Sequence, residues 1–312
     1  MSQNTSSSRS AAGNLSAGGH THLPASWQDW ITSNVLRGCD RASMQAIMVE
    51  NGFDPVFAAH AVAIIGGIGE RIKDIPGQDR EAILQGQGQG QYQASPSRLV
   101  SQLPRFTVAD REIELVAVMS NPNIAVIRGL LSDTECDEII RLSQGKMKTS
   151  LVVDRDSGDS YESSVRKSEG SHFERGENAL VERIEARLAA LLNLPVNRGE
   201  PLQILHYGVG GEYQAHQDFF EPSDPGSAVL TRVGGQRIGT VVMYLNDVPE
   251  GGETAFPEVG FLAKPIKGSA VYFEYQNADG QLDYRCLHAG MPVRRGDKWI
   301  MTKWLRERAY EQ

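Results

Sequence analysis

Apolar positions are nearly missing from residues 1–22, MSQNTSSSRSAAGNLSAGGHTH, which are rich in Ser, Gly, Ala and Asn. A segment that can bury so little is expected to be disordered. From Trp27 the pattern changes, because Trp27, Trp30, Ile31, Val35 and Leu36 recur at helical spacing. Asp40 predicts the N-cap of a second helix through Met44, Ile47 and Met48, which Gly52 ends. Asp54-Pro55 opens a third, with Phe57, Ala61 and Ile64 inward. Residues 23–75 therefore read as a small three-helix module. Residues 76–97 read as a linker, since QGQGQGQYQASPS alternates Gln with Gly and closes on Ser-Pro-Ser.

Past residue 98 the period shortens. Strand-like runs cover Ile113 to Met119 and Ile124 to Ile127. Ser132 and Glu135 form a capping box for a helix through Ile139, Ile140 and Leu142. A further helix, roughly 176–192, carries Leu180, Ile184 and Leu188 on one face. From Leu202 the chain becomes short strands punctuated by Gly and Pro. Helices followed by a run of strands predict an α+β domain over 98–312, mainly β, in which helices flank a β-sandwich or jelly roll.

Composition narrows the function classes. The 312 residues are 40% hydrophobic and 22% charged, as in ordinary globular proteins. A net charge of −8 argues against nucleic acid or an anionic membrane as the main partner, since both demand a basic face. Cys39, Cys136 and Cys286 are odd in number and far apart, which favours a reducing compartment. No run reaches the roughly 18 apolar residues of a membrane span. The N-terminus has no apolar signal-peptide core. The expectation is a cytoplasmic soluble protein.

The candidate chemistry sits near the C-terminus. His216 and Asp218 flank Gln217 in EYQAHQDFF, and residues two apart on a strand share a face. His288, in RCLHAG, is the candidate third ligand. Two histidines and one carboxylate leave three positions of an octahedron open, the arrangement of non-haem Fe(II) oxygenases. Zinc, which favours four-coordinate sites, is a competing occupant. Lys298, in RRGDKWIMTKW, alternates with Trp299 along a strand-like run. Its ammonium suits the far carboxylate of a dicarboxylic cosubstrate.

LHYGVGGEYQAHQDFF, GGQRIGTVVMYLNDVPEGGETAFP, KGSAVYFEY and LHAGMPVRRGDKWIMTKWLRE, in that order, resemble the prolyl 4-hydroxylase family of 2-oxoglutarate oxygenases. The likeness runs from about Leu202 to Trp304 and more weakly back to Ala125. It implies a double-stranded β-helix with iron between its sheets, held by His216, Asp218 and His288. It implies that 2-oxoglutarate meets Lys298, Tyr207 and Thr254, and that Glu200, Tyr213, Arg237 and Trp304 line a substrate groove. It also implies O₂ as the second cosubstrate and ascorbate as a further cofactor. Arg166 and Ser168 match a loop that approaches substrate in relatives, whereas His172 reads as a loop residue.

The implied reaction is hydroxylation of a prolyl residue in a peptide or protein, with release of succinate and CO₂. Alternatives keep the same cofactors but act on another side chain or a small molecule, or make the site a degenerate binding site. A further alternative is an oxygen-linked regulator whose residues 23–75 recruit a protein target. In that module Val49-Glu50-Asn51-Gly52-Phe53 resembles ubiquitin-associated-type three-helix modules, which implies protein binding. A docked or stabilising appendage is the competing role.

Overall fold

The computed structural model describes residues 23, 27, 30, 31, 34, 35, 39–73, 92–153, 160–162 and 167–311. The expected disordered segment 1–22, residues 76–91 of the expected linker, Leu36, Arg166 and the side chain of Ile64 lie outside them.

Local chemistry sets the helices of the N-terminal module. Asp40 accepts from the Ser43 amide at 2.9 Å and opens α1 (Arg41–Glu50), whose Met44 and Met48 face inward one turn apart. Asp54 accepts from the Val56 and Phe57 amides, both at 2.9 Å, and Pro55 begins α2 (Pro55–Lys73) without wasting a donor. Phe57, Ala58, Ala61, Val62 and Ile65 of α2 bury against Phe53, Met44 and Met48. The helical residues Ile31 and Val35 complete that core, and Leu262 from the β domain packs onto it. The module is therefore docked on the β domain. His60 meets Arg294 across the junction, and Gly260 lies against Leu23.

Among the described residues the β domain contains seventeen strands. They are β1 (Arg105–Val108), β2 (Arg111–Ser120), β3 (Asn123–Arg128), β4 (Lys148–Thr149), β5 (Leu151–Val153) and β6 (Ser160–Glu162), then β7 (Glu169–Phe173), β8 (Leu202–Tyr207), β9 (Tyr213–His216), β10 (Arg237–Tyr244), β11 (Glu250–Gly251) and β12 (Thr254–Phe256), and finally β13 (Phe261–Ala263), β14 (Ala270–Glu274), β15 (His288–Gly290), β16 (Val293–Arg295) and β17 (Lys298–Arg306). A nine-stranded sheet runs β1-β2-β3-β14-β10-β17-β8-β7-β4, and a four-stranded sheet runs β13-β12-β15-β9. Their pairings are antiparallel. This is the expected double-stranded β-helix.

The period-two alternation of strands sorts side chains between two cores. On β17, Trp299, Met301 and Leu305 join Val241 and Met243 of β10 and Ile204 of β8 beneath α3 (Asp133–Ser143) and α4 (Ala179–Leu192). The alternate residues, Ile300, Val242, Tyr244, Leu205 and Tyr207, face the small sheet. Ser132 and Glu135 make the expected reciprocal box at the start of α3. The helix expected from 176 begins instead at Ala179. Asn178 caps it by accepting from the Leu180 and Val181 amides, and Gly176 takes a positive φ of 65° in the preceding turn.

Residues 92–98 run across the large sheet's flank. Ser97 and Arg98 bond the buried Glu274 carboxylate, Arg98 Nη1 at 2.6 Å, and Asn277 reaches the Gln93 carbonyl at 2.9 Å.

Candidate active site

The register of the small sheet brings the histidines together. His288 of β15 pairs directly with His216 of β9, and the side chains of a cross-strand pair stand on one face. The extended run expected through Asp218 ends at His216, and Asp218 sits in a bend. Gln217 donates to the Tyr284 carbonyl at 2.7 Å, tying that bend to the segment that leads into His288. Asp218 still turns inward. Its Oδ1 lies 3.6 Å from His216 Nε2 and its Oδ2 3.5 Å from His288 Nε2. One donor atom from each residue lies within 4.8 Å of the other two.

The donors fit a cation. His216 Nδ1 faces the Gln214 carbonyl at 2.8 Å and His288 Nδ1 faces the Cys286 carbonyl at 3.0 Å. Each Nδ1 is thereby the protonated nitrogen, which leaves both Nε2 lone pairs aimed at the common centre. Burial and the neighbouring His216 push His288 down to about 4, so it is a neutral ligand at pH 7. Burial pushes the Asp218 carboxyl up, but the positive charge of His288 and His216, while these are protonated, and of Arg237 outweighs it, so the group ionises well below the usual carboxylate range.

Above the triad, the Tyr213 ring stacks on His216 with centroids 3.7 Å apart. The cleft continues between the sheets, lined by Tyr207, Tyr213, Thr254, Lys298, Thr302 and Trp304 besides the triad. Lys298 opens β17 at its inner end and is 3% exposed. Burial pushes its ammonium down to about 8, opposed by the charge of Glu253. Among the described residues no carboxylate forms an ion pair with it; the Tyr207 and Tyr244 ring centroids lie 5.4 and 5.9 Å away. A buried cation left without a counter-ion is a ready site for an anion. Thr254 accepts from Tyr244 Oη at 2.7 Å, so its own proton is free to donate into the cleft.

At the other end, Arg237 Nε and Nη2 donate to the Glu200 carboxylate at 2.7 and 2.9 Å, a bidentate pair. Arg237 also donates to the Asp218 carbonyl at 3.2 Å, and its guanidinium lies 4.0 Å from the Trp304 ring centroid. Trp304 Nε1 is buried without a partner. Glu200, Arg237, Trp304 and Tyr213 thus border the triad. Ser168 bonds Ser150 at 2.8 Å, and His172 is exposed and pairs with Glu174 at 3.1 Å.

Four residues near the site have no counterpart in the sequence reading. Thr240 and Tyr275 stand behind Asp218, Tyr244 stands behind Thr254, and Arg306 shares Glu200 at 3.1 Å. The available signal was Thr240 and Tyr244 themselves, polar positions of one parity in the otherwise apolar GTVVMYLN.

Fold and triad together define a non-haem iron oxygenase of the 2-oxoglutarate-dependent class. The 2OG-Fe(II) oxygenase superfamily profile matches residues 202–306. Probable prolyl 4-hydroxylase 7 of Arabidopsis thaliana is 39% identical over 209 residues, covering 61% of this chain and 65% of that relative. Probable prolyl 4-hydroxylase 6 of the same plant is 36% identical over 231 residues, covering 68% of this chain and 78% of that relative. A structure of the viral collagen prolyl hydroxylase from Paramecium Bursaria Chlorella virus-1 with 2OG aligns at 30% identity and a TM-score of 0.46, over 59% of this chain and 95% of that one. The chain belongs to the prolyl 4-hydroxylase family of 2OG-Fe(II) oxygenases.

Proposed function

We propose that this chain hydroxylates a prolyl residue within a peptide or protein, consuming 2-oxoglutarate and O₂ and releasing succinate and CO₂. The observation that carries the reading is one cleft joining the His216–Asp218–His288 donors to the buried Lys298 ammonium, which has no ion-pair partner among the described residues. Bound Fe(II), with 2-oxoglutarate and O₂, supplies the oxidation of an unactivated C–H bond.

The chain's own residues supply position. His216, Asp218 and His288 would hold the metal. Lys298 neutralises the cosubstrate's far carboxylate, with Tyr207 and the free proton of Thr254 orienting it. Tyr213 and Trp304 offer ring faces to proline. Arg237, held by Glu200, donates to a peptide carbonyl. A free amino acid would bring an amine and a carboxylate that each need a partner. Peptide proline carries neither charge, and its polyproline II geometry lowers the ordering cost of binding. The relatives at 36–39% identity, all plant prolyl 4-hydroxylases or probable ones by name, support proline over other side chains. Ascorbate belongs to this reading as the reductant that keeps iron ferrous. Three free cysteines, two of them buried, suit a reducing compartment such as the cytoplasm. The packing of Leu262 into the helical core supports a docked, steadying role for the N-terminal module.

The test is incubation of the full chain with Pro-rich peptides, Fe(II), ascorbate and 2-oxoglutarate, read by mass spectrometry. A gain of one oxygen on proline is expected. Oxygen found on lysine, arginine or a free metabolite, and never on peptide proline, overturns the prolyl assignment.

A further inference from the structure

We propose that Thr240 is a positioning residue for the metal site: its hydroxyl, steadied by Tyr275, holds Asp218 as a single-oxygen ligand. The inference rests on the metal reading above and adds a role for two residues behind the triad.

Thr240 Oγ1 lies 2.6 Å from Asp218 Oδ2 and 3.2 Å from Tyr275 Oη. The Thr240 hydroxyl donates to Asp218 Oδ2, so its proton points at that oxygen. A hydroxyl has one proton. Thr240 must then accept from Tyr275, which gives a directed chain from Tyr275 through Thr240 to Asp218. Thr240 and Tyr275 are 0% exposed and Asp218 7%, so these atoms are shielded from bulk solvent. The tyrosine is itself held. Its amide donates to the Ile238 carbonyl at 3.2 Å, its carbonyl accepts from the Asp283 amide at 2.8 Å, and its ring lies between Phe219 and Phe273.

A carboxylate can grip a cation with one oxygen or two. The second mode would occupy one of the three positions that cosubstrate and O₂ require. The short bond to Thr240 engages Oδ2 and stops the carboxylate turning about its terminal torsion. Oδ1, facing His216 at 3.6 Å, is left as the freer oxygen. Oδ2 also lies 3.5 Å from His288 Nε2, which is too long to do this work. Thr240 comes from β10 of the large sheet while Asp218 follows β9 of the small one, so the bond also fixes the ligand across the two layers.

The test uses the full chain with Mn(II), whose binding is read by equilibrium titration and whose coordinated water is counted by water-proton relaxation. Thr240→Val keeps shape and loses the hydroxyl; Thr240→Ser keeps the hydroxyl. Loss of such a supporting bond typically costs 10- to 100-fold in metal affinity, and Thr240→Val should fall by about that much while Thr240→Ser stays within about threefold of wild type. Thr240→Val should also carry fewer coordinated waters, because Asp218 is free to grip with both oxygens. Tyr275→Phe should weaken Mn(II) binding to a smaller extent, and it carries the test if Thr240→Val does not fold. Wild-type affinity and hydration in Thr240→Val, wild-type affinity in Tyr275→Phe, or equal loss in Thr240→Ser and Thr240→Val each overturn the proposal. A wild-type chain that takes up no Mn(II) overturns it together with the metal reading, which distinguishes the two failures.

Discussion

Replacing Lys298 by Met removes an ammonium while keeping an unbranched apolar stem in the same space. Burial takes Lys298 from its ordinary 10.5 to about 8. At 1.36 kcal/mol per pH unit that drop is a folding penalty of about 3 kcal/mol. The unfolded chain holds this proton up to 10.5 and the folded chain only up to about 8. Below pH 8 both states are protonated and the penalty is full. Between these values the unfolded state binds more protons, so stability rises with pH, and above 10.5 the penalty has vanished.

Metal-free Lys298→Met should therefore be more stable than wild type at pH 7, by up to about 3 kcal/mol, and the advantage should fade as pH climbs from 8 to 10.5. Ligand binding should show the opposite order. Losing the partner of a buried carboxylate costs about 2–5 kcal/mol, or about thirtyfold to a few thousandfold in 2-oxoglutarate affinity. Wild-type affinity should also decline above pH 8 as the ammonium is lost, and that of the variant should not. Urea unfolding across this pH range, paired with calorimetric titration of 2-oxoglutarate at pH 7–9, measures both. Equal stability at pH 7 would mean that the ammonium is already neutralised within the chain. Undiminished 2-oxoglutarate affinity would remove Lys298 from the cosubstrate site.

His216→Ala, Asp218→Ala and His288→Ala should each abolish hydroxylation and Fe(II) binding, and full activity in any of them, or with zinc alone, refutes the oxygenase assignment. Trp304→Ala should raise the peptide KM about tenfold or more while leaving metal and 2-oxoglutarate titrations nearly unchanged; a parallel loss of cosubstrate affinity would make Trp304 a core residue. Glu185 of α4 and Lys303 of β17 form a buried pair at 2.5 Å. Lys303→Met alone should cost about 3–5 kcal/mol in urea unfolding, and adding Glu185→Leu should recover most of it. No recovery would mean that the stems, rather than the charges, carry the interaction.

Much of this protein was legible in its sequence because the governing interactions are local. Asp40, Asp54 and the Ser132/Glu135 box cap helices through amides two or three residues away. The alternation along Lys298–Trp304 follows from strand geometry alone, and the order of motifs from Leu202 to Trp304 carries the family resemblance. Other features arise only when distant strands meet. His288 joins His216 through a cross-strand register, and the strand run expected through Asp218 gives way to a bend that Tyr284 anchors. Thr240 and Tyr275 reach Asp218 from the opposite sheet, and although Thr240 stands out as a polar position in an apolar strand, nothing near either residue in the sequence names Asp218 as its partner. The docking of α2 depends on Leu262, some two hundred residues further along the chain. Lys298 reads as one charge among several in RRGDKW, and only burial between two sheets, without an ion-pair partner among the described residues, turns it into an anion site. Hydrogen bonds and alternation act over a few residues and leave a trace in the letters. Desolvation and cross-sheet contact depend on which surfaces the fold closes together, and that is decided in three dimensions.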